Sequence, residues 1–506
     1  VPDAAVAKDV KKLMDNMVGE RASKAPRKAK ALNAKLRDYQ KSGFAWLWQL
    51  HENQMTGILA DDMGLGKTVQ AIALLTKAKE AEGPMPSLIV CPTSVLSVWY
   101  QEIKKWAPSM TVLVWHGPER GEHARLIKQV DVVVTSYTIL RRDIDDLSKI
   151  RFRYGLLDEA QYIKNWNTGT AKSARKLKTD HRLALTGTPV ENHIIDLWAI
   201  FDFLAPGFLG KLTEFQKNYV KPIEDGDVEA LDTLRTRVRP FIMRRRKEDV
   251  ASELPPKTEQ TLYVQFNRPQ LALYNKILKA AKTEIQGRIT DHGVEKSQIK
   301  ILAALTRLRQ VCTDPNLLGL PESQVVPPSA KLEAFEALIG DLIGAGRKVL
   351  VFSQFVSMQK IIAAKLQEMD IEFLWLHGGT KNRAELVERF QKSEGPPVFL
   401  ISLKAGGSGL TLTEADTVIH YDPWWNPAVE DQATDRVHRI GQEKPVFVYR
   451  LVMEDTVEQK MVELGQEKRR VAESALGRDT TTGKKLTMED VERLLDTPAT
   501  DPWQEL

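Results

Sequence analysis

The sequence predicts an α/β protein made of two tandem parallel-sheet lobes joined by helical material. Three observations carry that prediction. Short apolar runs alternate with longer helical patterns from residue 57 to 186, the rhythm breaks near 190, and it resumes at 348. Alternation of this kind implies βαβ units around sheets buried on both faces. In order, the first strands are GILA (57–60), SLIVC (87–91), TVLVW (111–115), DVVVT (131–135), YGLLD (154–158) and RLALT (182–186). The second set is KVLVFS (348–353), EFLWL (372–376), PVFLIS (397–402), TVIHY (417–421) and VFVYR (446–450). ELPPK (253–257) and VVPPS (325–329) are proline-bearing breaks that mark the joints.

The expected domains are an N-terminal helical and basic extension (1–35), a first lobe (36–205) and a helical protrusion with linker (206–252). A linker with a second protrusion (253–330), a second lobe (331–460) and a C-terminal helical brace (461–506) follow. Val10, Leu13, Met14, Met17 and Val18 have helical spacing, and residues 21–37 then carry seven Lys or Arg and no acid. Such a run is a solvated face unless the protein binds nucleic acid. The opening VPDAAVAKDV, without an initiator Met, reads as the start of a piece of a longer protein.

Composition excludes several classes. Hydrophobic residues at 42% and charged residues at 27% of 506 argue against wholesale disorder. The 72 basic and 67 acidic residues leave +5, too small an excess to prove a polyanionic partner. No apolar run approaches 18 residues, so no membrane span is expected. Two cysteines, Cys91 and Cys312, cannot make a disulfide framework or a four-sulfur zinc site, and no zinc-type histidine pair stands beside them. No structural zinc and a reducing compartment are therefore expected.

Residues 61–68 read DDMGLGKT between a strand and an apolar-periodic helix. Gly64 and Gly66 let backbone N–H groups turn toward a phosphate at a helix N-terminus. Lys67 reaches the outer phosphates in such loops, and the Thr68 hydroxyl binds Mg²⁺. Asp61 stands where the strict pattern has glycine. Asp158 and Glu159 end the strand YGLL, at the edge where open α/β sheets bind ligands. Asp158 suits Mg²⁺ and Glu159 suits the attacking water, a pairing generic to nucleoside triphosphatases. QATDRVHRIGQ (432–442) spaces Arg436 and Arg439 as on one helix face, fit for a phosphoryl group. On spacing alone, two solvated surface arginines read the same way.

Together these motifs resemble the SWI/SNF-type ATPases of helicase superfamily two. The matching residues run from LRDYQ (36–40) and DDMGLGKT through LIVCPTSVLSVWYQEI (88–103), VVVTSY (132–137), LDEAQ (157–161) and LALTGTPVENHIIDLWAIFDFL (183–204). IMRRRKEDV (242–250), LRQVCTDP (308–315), KVLVFSQF (348–355), HGGT (377–380), LKAGGSGLTLTEADTVIHYDPWWNP (403–427), DQATDRVHRIGQ (431–442) and VYRLVMEDTVEQKM (448–461) complete them. The resemblance implies two RecA-like lobes with helical protrusions and a C-terminal brace. It also implies ATP hydrolysis stimulated by double-stranded DNA, tracking without strand separation, and protein–DNA complexes as the target. A prokaryotic member is expected, placed in the cytoplasm or nucleoid, or in the nucleus if eukaryotic, and not secreted.

Carried onto this chain, Gln40 reads adenine, Arg436 and Arg439 are arginine fingers, and Gln161, Thr186 and Gln432 couple nucleotide to movement. The implied DNA contacts are Thr93, Ser94, Ser136, Tyr137, Gln354, Lys404 and Trp425, with Trp424 read as a core aromatic. Backbone contacts of that kind are sequence-tolerant and salt-dependent. Leu403 departs from the family's hydroxyl residue and Asp314 from its histidine. A strand-separating helicase and an ATP-gated clamp remain the competing readings.

Overall fold

The computed structural model describes residues 26–187, 194–250, 254–292, 294–320, 329–380, 382–406, 410–424, 426–477 and 493–495. The chain divides into two compact units, one built mainly from residues up to 252 and the other mainly from 253 to 469.

The first unit is a seven-stranded sheet of order β3-β4-β2-β5-β6-β1-β7. Its strands are β1 (Gly57–Leu59), β2 (Ser87–Cys91), β3 (Val112–Trp115), β4 (Val132–Ser136), β5 (Arg151–Asp158), β6 (Lys178–Leu185) and β7 (Ile242–Met243). Every pairing is parallel. Alternate residues feed opposite faces: Leu88 and Val90 enter one core, Ile89 and Cys91 the other. Helices α1 (Asp38–Glu52), α2 (Lys67–Glu82) and α3 (Leu96–Trp106) cover one face, and α4 (Ile194–Leu204) and α5 (Val228–Val238) the other. That two-sided burial is why the strands read as continuous apolar runs.

The second unit is a six-stranded parallel sheet of order β10-β11-β9-β12-β13-β8. Its strands are β8 (Lys257–Val264), β9 (Val349–Ser353), β10 (Phe373–Leu376), β11 (Val398–Ser402), β12 (Thr417–His420) and β13 (Val446–Met453). β8 falls inside the stretch read from sequence as linker and second protrusion. It pairs along all eight residues with β13 yet is mostly exposed, so it lacks the apolar run that marks a central strand.

Helices α6 (Arg268–His292) and α7 (Val294–Thr313) pack together with the start of α11 (Val457–Gly477). They fall in and beside the stretches expected from sequence as the second protrusion and the C-terminal brace. Between them come α8 (Ala330–Gly344), α9 (Val356–Glu368) and α10 (Pro427–Thr434). Lys331 on α8 and Glu458 on α11 form an ion pair with both side chains fully buried. The same carboxylate oxygen, Oε2, also accepts from the Met453 backbone N–H at 3.1 Å. Asp314, in the histidine position of the family pattern, caps the turn after α7 by accepting from Asn316 N at 2.9 Å.

The helix expected near residues 10–18 lies outside the described residues. The basic stretch after it is partly a docked strap: Ala29, Leu32 and Ala34 are buried against the first sheet's helices. Lys28 donates to the carbonyls of Leu32 at 3.1 Å and Ala34 at 3.0 Å. No helix among the described residues is long and apolar enough to cross a membrane.

Candidate active site

In the first unit the candidate residues gather at the C-terminal ends of neighbouring strands. β6 lies between β1 and β5. The glycine loop leaves β1, Thr186 follows β6, and Asp158 with Glu159 close β5. Gly64 and Gly66 have φ of 87° and 77°, the left-handed region that turns the loop onto α2. Gly66 has a second reason to lack a side chain: a Cβ there would stand 2.6 Å from Gln40 Nε2.

Lys67 folds back on the loop, donating to the carbonyl oxygens of Asp61 and Asp62. Thr68 sits half-buried in the first turn of α2. Gln40 is buried, its amide oxygen accepting from Arg37 N at 3.0 Å and its NH₂ donating to Leu65 O at 3.2 Å. The residue thus bridges the start of α1 to the phosphate loop.

Asp158 and Glu159 are organised by neighbours that contiguity of sequence does not reveal. Asp158 Oδ2 accepts from Trp99 Nε1 at 2.8 Å, and Oδ1 accepts from Glu159 N at 3.1 Å. Burial, then the adjacent Glu159 charge, push the Asp158 carboxyl up to about 7, opposed by the Trp99 hydrogen bond and by Lys67. Glu159 has φ 53°, an uncommon backbone state for a side chain of its kind. Its Oε2 accepts from Gln161 Nε2 at 2.9 Å, and Gln161 Oε1 accepts from Thr186 Oγ1 at 2.9 Å. The three residues read from sequence as catalytic and coupling groups therefore form one hydrogen-bonded chain. The next residue, Gly187, lies against the phosphate loop: a Cβ there would stand 3.2 Å from Met63 Cγ and 3.8 Å from Lys67 Nζ.

The segment IMRRRKEDV gains a role that sequence reading missed. β7 pairs with β1, and Ala60 N and Asp62 N donate to the carbonyls of Met243 at 2.7 Å and Arg245 at 3.0 Å. Arg245 grips the buried Asp61 carboxylate with two guanidinium nitrogens, Nε at 2.9 Å. The same guanidinium donates to Gln70 Oε1 at 2.8 Å, and Lys247 N donates to Asp62 Oδ2 at 3.1 Å. Asp61, in place of the pattern's glycine, is the anchor of this buttress. The Arg245 guanidinium is therefore committed to the phosphate loop.

Of the implied DNA contacts in this unit, Thr93 is exposed and Ser94 half-buried in the short turn Thr93–Val95 after β2. Ser136 and Tyr137 are buried. Ser136 Oγ accepts from Ile139 N at 3.3 Å, and the Tyr137 hydroxyl donates to Asp158 O at 2.8 Å. Both side chains are engaged inside the lobe, where they cap a helix and brace the acidic strand end.

In the second unit, Arg436 and Arg439 do not share a helix face. α10 ends at Thr434 with Asp435 as its C-cap, and both arginines lie in the turns beyond. Gln442 organises that turn, donating to the carbonyls of Ala415 at 2.7 Å and Thr413 at 3.0 Å and accepting from Lys444 N at 2.9 Å. Arg439 Nη1 donates to Thr411 Oγ1 at 2.9 Å, while Arg436 is 7% exposed. His438 bonds through Nε2 to Pro255 O at 2.9 Å, fastening the ELPPK segment. Gln432 lies half-buried on α10.

Gln354, Lys404 and Trp424 follow β9, β11 and β12, all at the same sheet edge. Gln354 N donates to Asp422 Oδ2 at 3.2 Å; burial raises that carboxyl to about 6. Arg309, from LRQVC, donates to Pro423 O at 2.6 Å with its guanidinium over the rings of Phe355 and Trp424. The Trp424 side chain is half-buried against the lobe core, and the residue's backbone N–H donates to Glu430 Oε1 at 2.8 Å. Lys404 belongs to the short helix Leu403–Gly406, its side chain outside those described, and Leu403 is buried. Trp425 lies outside the described residues.

Residues 39–317 match the SNF2-related domain, and residues 330–441 match the helicase conserved C-terminal domain. The chain belongs to the SNF2 family. A Bacillus subtilis protein named as an ATP-dependent helicase/translocase, YwqA, is 42% identical over 84% of this chain and 47% of its own length. A Mycoplasma pneumoniae ATP-dependent helicase is 40% identical over 91% of this chain and 44% of its own. The yeast ISWI chromatin-remodeling complex ATPase ISW1 is 35% identical over 90% and 42%. The chain thus spans less than half the length of these relatives, and the bacterial ones support the expected prokaryotic membership. The Sulfolobus solfataricus SWI2/SNF2 ATPase core in complex with double-stranded DNA is 34% identical, with a TM-score of 0.47 over 94% of this chain and all of that one.

Proposed function

We propose that this SNF2-family chain is an ATP-hydrolysing motor that tracks along double-stranded DNA and remodels protein–DNA complexes without separating the strands. The observation that carries it is the hydrogen-bonded chain Glu159–Gln161–Thr186 beside the Lys67 loop. Such a chain gives the group that orients the attacking water a direct line to the rest of the lobe.

The residues present fit Mg²⁺–ATP. A carboxyl whose ionisation is suppressed gains when a cation takes the place of its proton, and the half-buried Asp158 is such a group. Thr68 and Asp158 would hold the ion, which when bound neutralises the phosphate charge. Lys67 exchanges the loop carbonyls for phosphate oxygens. Glu159, fixed by Gln161, positions water for in-line attack. Arg436 and Arg439 supply the guanidiniums that stabilise the leaving charge, as planar forks suited to phosphoryl oxygens. Thr93, Ser94, Gln354, Lys404 and Trp425 supply sequence-tolerant contacts to the DNA backbone.

The deciding experiment measures ATP turnover alone and with single-stranded DNA, double-stranded DNA or RNA, beside triplex-displacement and forked-duplex assays. Stimulation by duplex and displacement without unwinding are expected. Unwinding of the fork would make the chain a strand-separating helicase, and binding without stimulated turnover would make it a clamp.

A further inference from the structure

A second cluster of chemistry-bearing side chains lies along β5 and β6, upstream of the acidic strand end and unused by the nucleotide reading. His51 comes from the last turn of α1, Glu82 ends α2, and His181 lies on β6 in register with Tyr154 of β5. Each of the first three offers one metal-ligand atom, and these atoms lie within 4.8 Å of one another. The His51 and His181 rings are 4.5 Å apart, with Trp48 stacked on His51 at 4.6 Å and Tyr154 on His181 at 5.0 Å. Spacing along the sequence could not show this, because the three come from separate elements.

Two features set the group apart from ordinary packing. His181 is 8% exposed, and its Nδ1 is buried without a hydrogen-bond partner among the described residues. Buried polar atoms are rarely left so, and an unseen ion is one standard reason. Burial also lowers the proton affinity of both imidazoles, which leaves neutral rings with a lone pair available. The Glu82 side chain, 46% exposed, opens the group to solvent.

We propose that His51, Glu82 and His181 form a site for one divalent transition-metal ion of the zinc type. Two imidazole nitrogens and one carboxylate oxygen suit Zn²⁺ or Co²⁺, with solvent in the remaining position, and suit Mg²⁺ poorly. His51 Nε2 now lies 3.0 Å from Glu82 Oε1, and the ion replaces that contact. The ring proton then resides on Nδ1, 2.7 Å from the Tyr154 hydroxyl, which becomes the partner that fixes the ring. Arg153 Nε, 3.1 Å from Glu82 Oε2, keeps that second oxygen. Its positive charge also opposes the ion, so the site is weaker than one whose carboxylate stands alone.

The test titrates the chelator-treated, nucleotide-free chain with ZnCl₂ by calorimetry and with CoCl₂ by visible absorption. One saturable ion with a four-coordinate cobalt spectrum is expected. Affinity should fall at least about tenfold in His181→Ala and in Glu82→Gln, and persist in Asp158→Asn, which separates this site from the nucleotide one. Glu82→Gln changes a half-exposed group and keeps the test valid if His181→Ala does not fold. Zinc should raise the melting temperature of the wild type and not of Glu82→Gln. Absence of a saturable ion, or equal affinity in all variants, overturns the proposal; neither result bears on DNA translocation.

Discussion

Asp158 illustrates how much of the chemistry is set by one residue's surroundings. Its pKa is raised to about 7 by burial and by Glu159, so the folded, ligand-free protein holds a proton there that the unfolded chain releases near pH 4. The sign follows: this group's contribution to stability is fully present below about pH 4 and is lost as pH rises through about 7. Mg²⁺–nucleotide needs the carboxylate, so binding should release a proton and weaken by up to about tenfold per pH unit below the midpoint. Calorimetry with Mg²⁺–ADP from pH 5.5 to 8 checks this (Asp158→Asn should flatten the profile). Trp99→Phe removes the hydrogen bond that opposes the shift, so the midpoint should move to higher pH; a midpoint unchanged by that substitution would deny Trp99 its role. Glu159→Gln should keep nucleotide and DNA binding while turnover falls to background, because the water loses its orienting carboxylate. Lys67, Thr68, Asp158 and Glu159 were legible because a phosphate loop and an acidic strand end are contiguous words. Trp99 was quoted within a motif but given no task, since only the folded sheet brings its indole to Asp158.

At the scale of elements, the instructive piece is the segment from Ile242 to Lys247. Two residues of strand are too short to show any period, so β7 left no trace in the apolar pattern. Its position is nonetheless decisive, because it walls β1 and delivers Arg245 to Asp61. β8 was hidden for the opposite reason, being long but polar at a sheet edge. The central strands of both lobes were legible since burial on two faces forces runs of Val, Ile and Leu. The arginine pair misled because a three-residue spacing implies a shared face only while the helix lasts, and α10 stops at Thr434. Removing Arg245 should be costly in a recognisable way. Arg245→Ala leaves Asp61, 0% exposed, without its counter-charge, a loss of roughly 3–5 kcal/mol for a broken buried pair. Denaturant unfolding should register most of that loss in the first unit. Arg245→Lys should recover little, since one ammonium cannot reproduce the fork onto Asp61 and Gln70. Wild-type stability in Arg245→Ala would mean that β7 pairing alone holds the loop.

For the whole molecule, the division of labour between the two units makes the sharpest demand. The phosphate loop, the acidic pair and its coupling chain belong to the first unit; Arg436, Arg439 and the Gln442-bound turn belong to the second. Under the proposed function the hydrolytic groups come from both units, so turnover must report on both, while nucleotide binding reports mainly on the first. Arg439 is the residue that separates these properties. Arg436 is buried, and its removal mixes folding with chemistry; Arg439 is half-buried and bonds Thr411 Oγ1 and Leu410 O. Arg439→Ala should therefore leave ADP affinity and the melting temperature near wild type while DNA-stimulated turnover falls by about 10³–10⁵, the usual worth of an arginine finger. Arg439→Lys should not rescue it, because a point charge lacks the planar fork. Measured side by side, unchanged ADP binding with collapsed turnover places the missing charge in the second unit. A loss of only about twofold would be far below the worth of a finger, and would assign the transition-state charge to groups of the first unit alone.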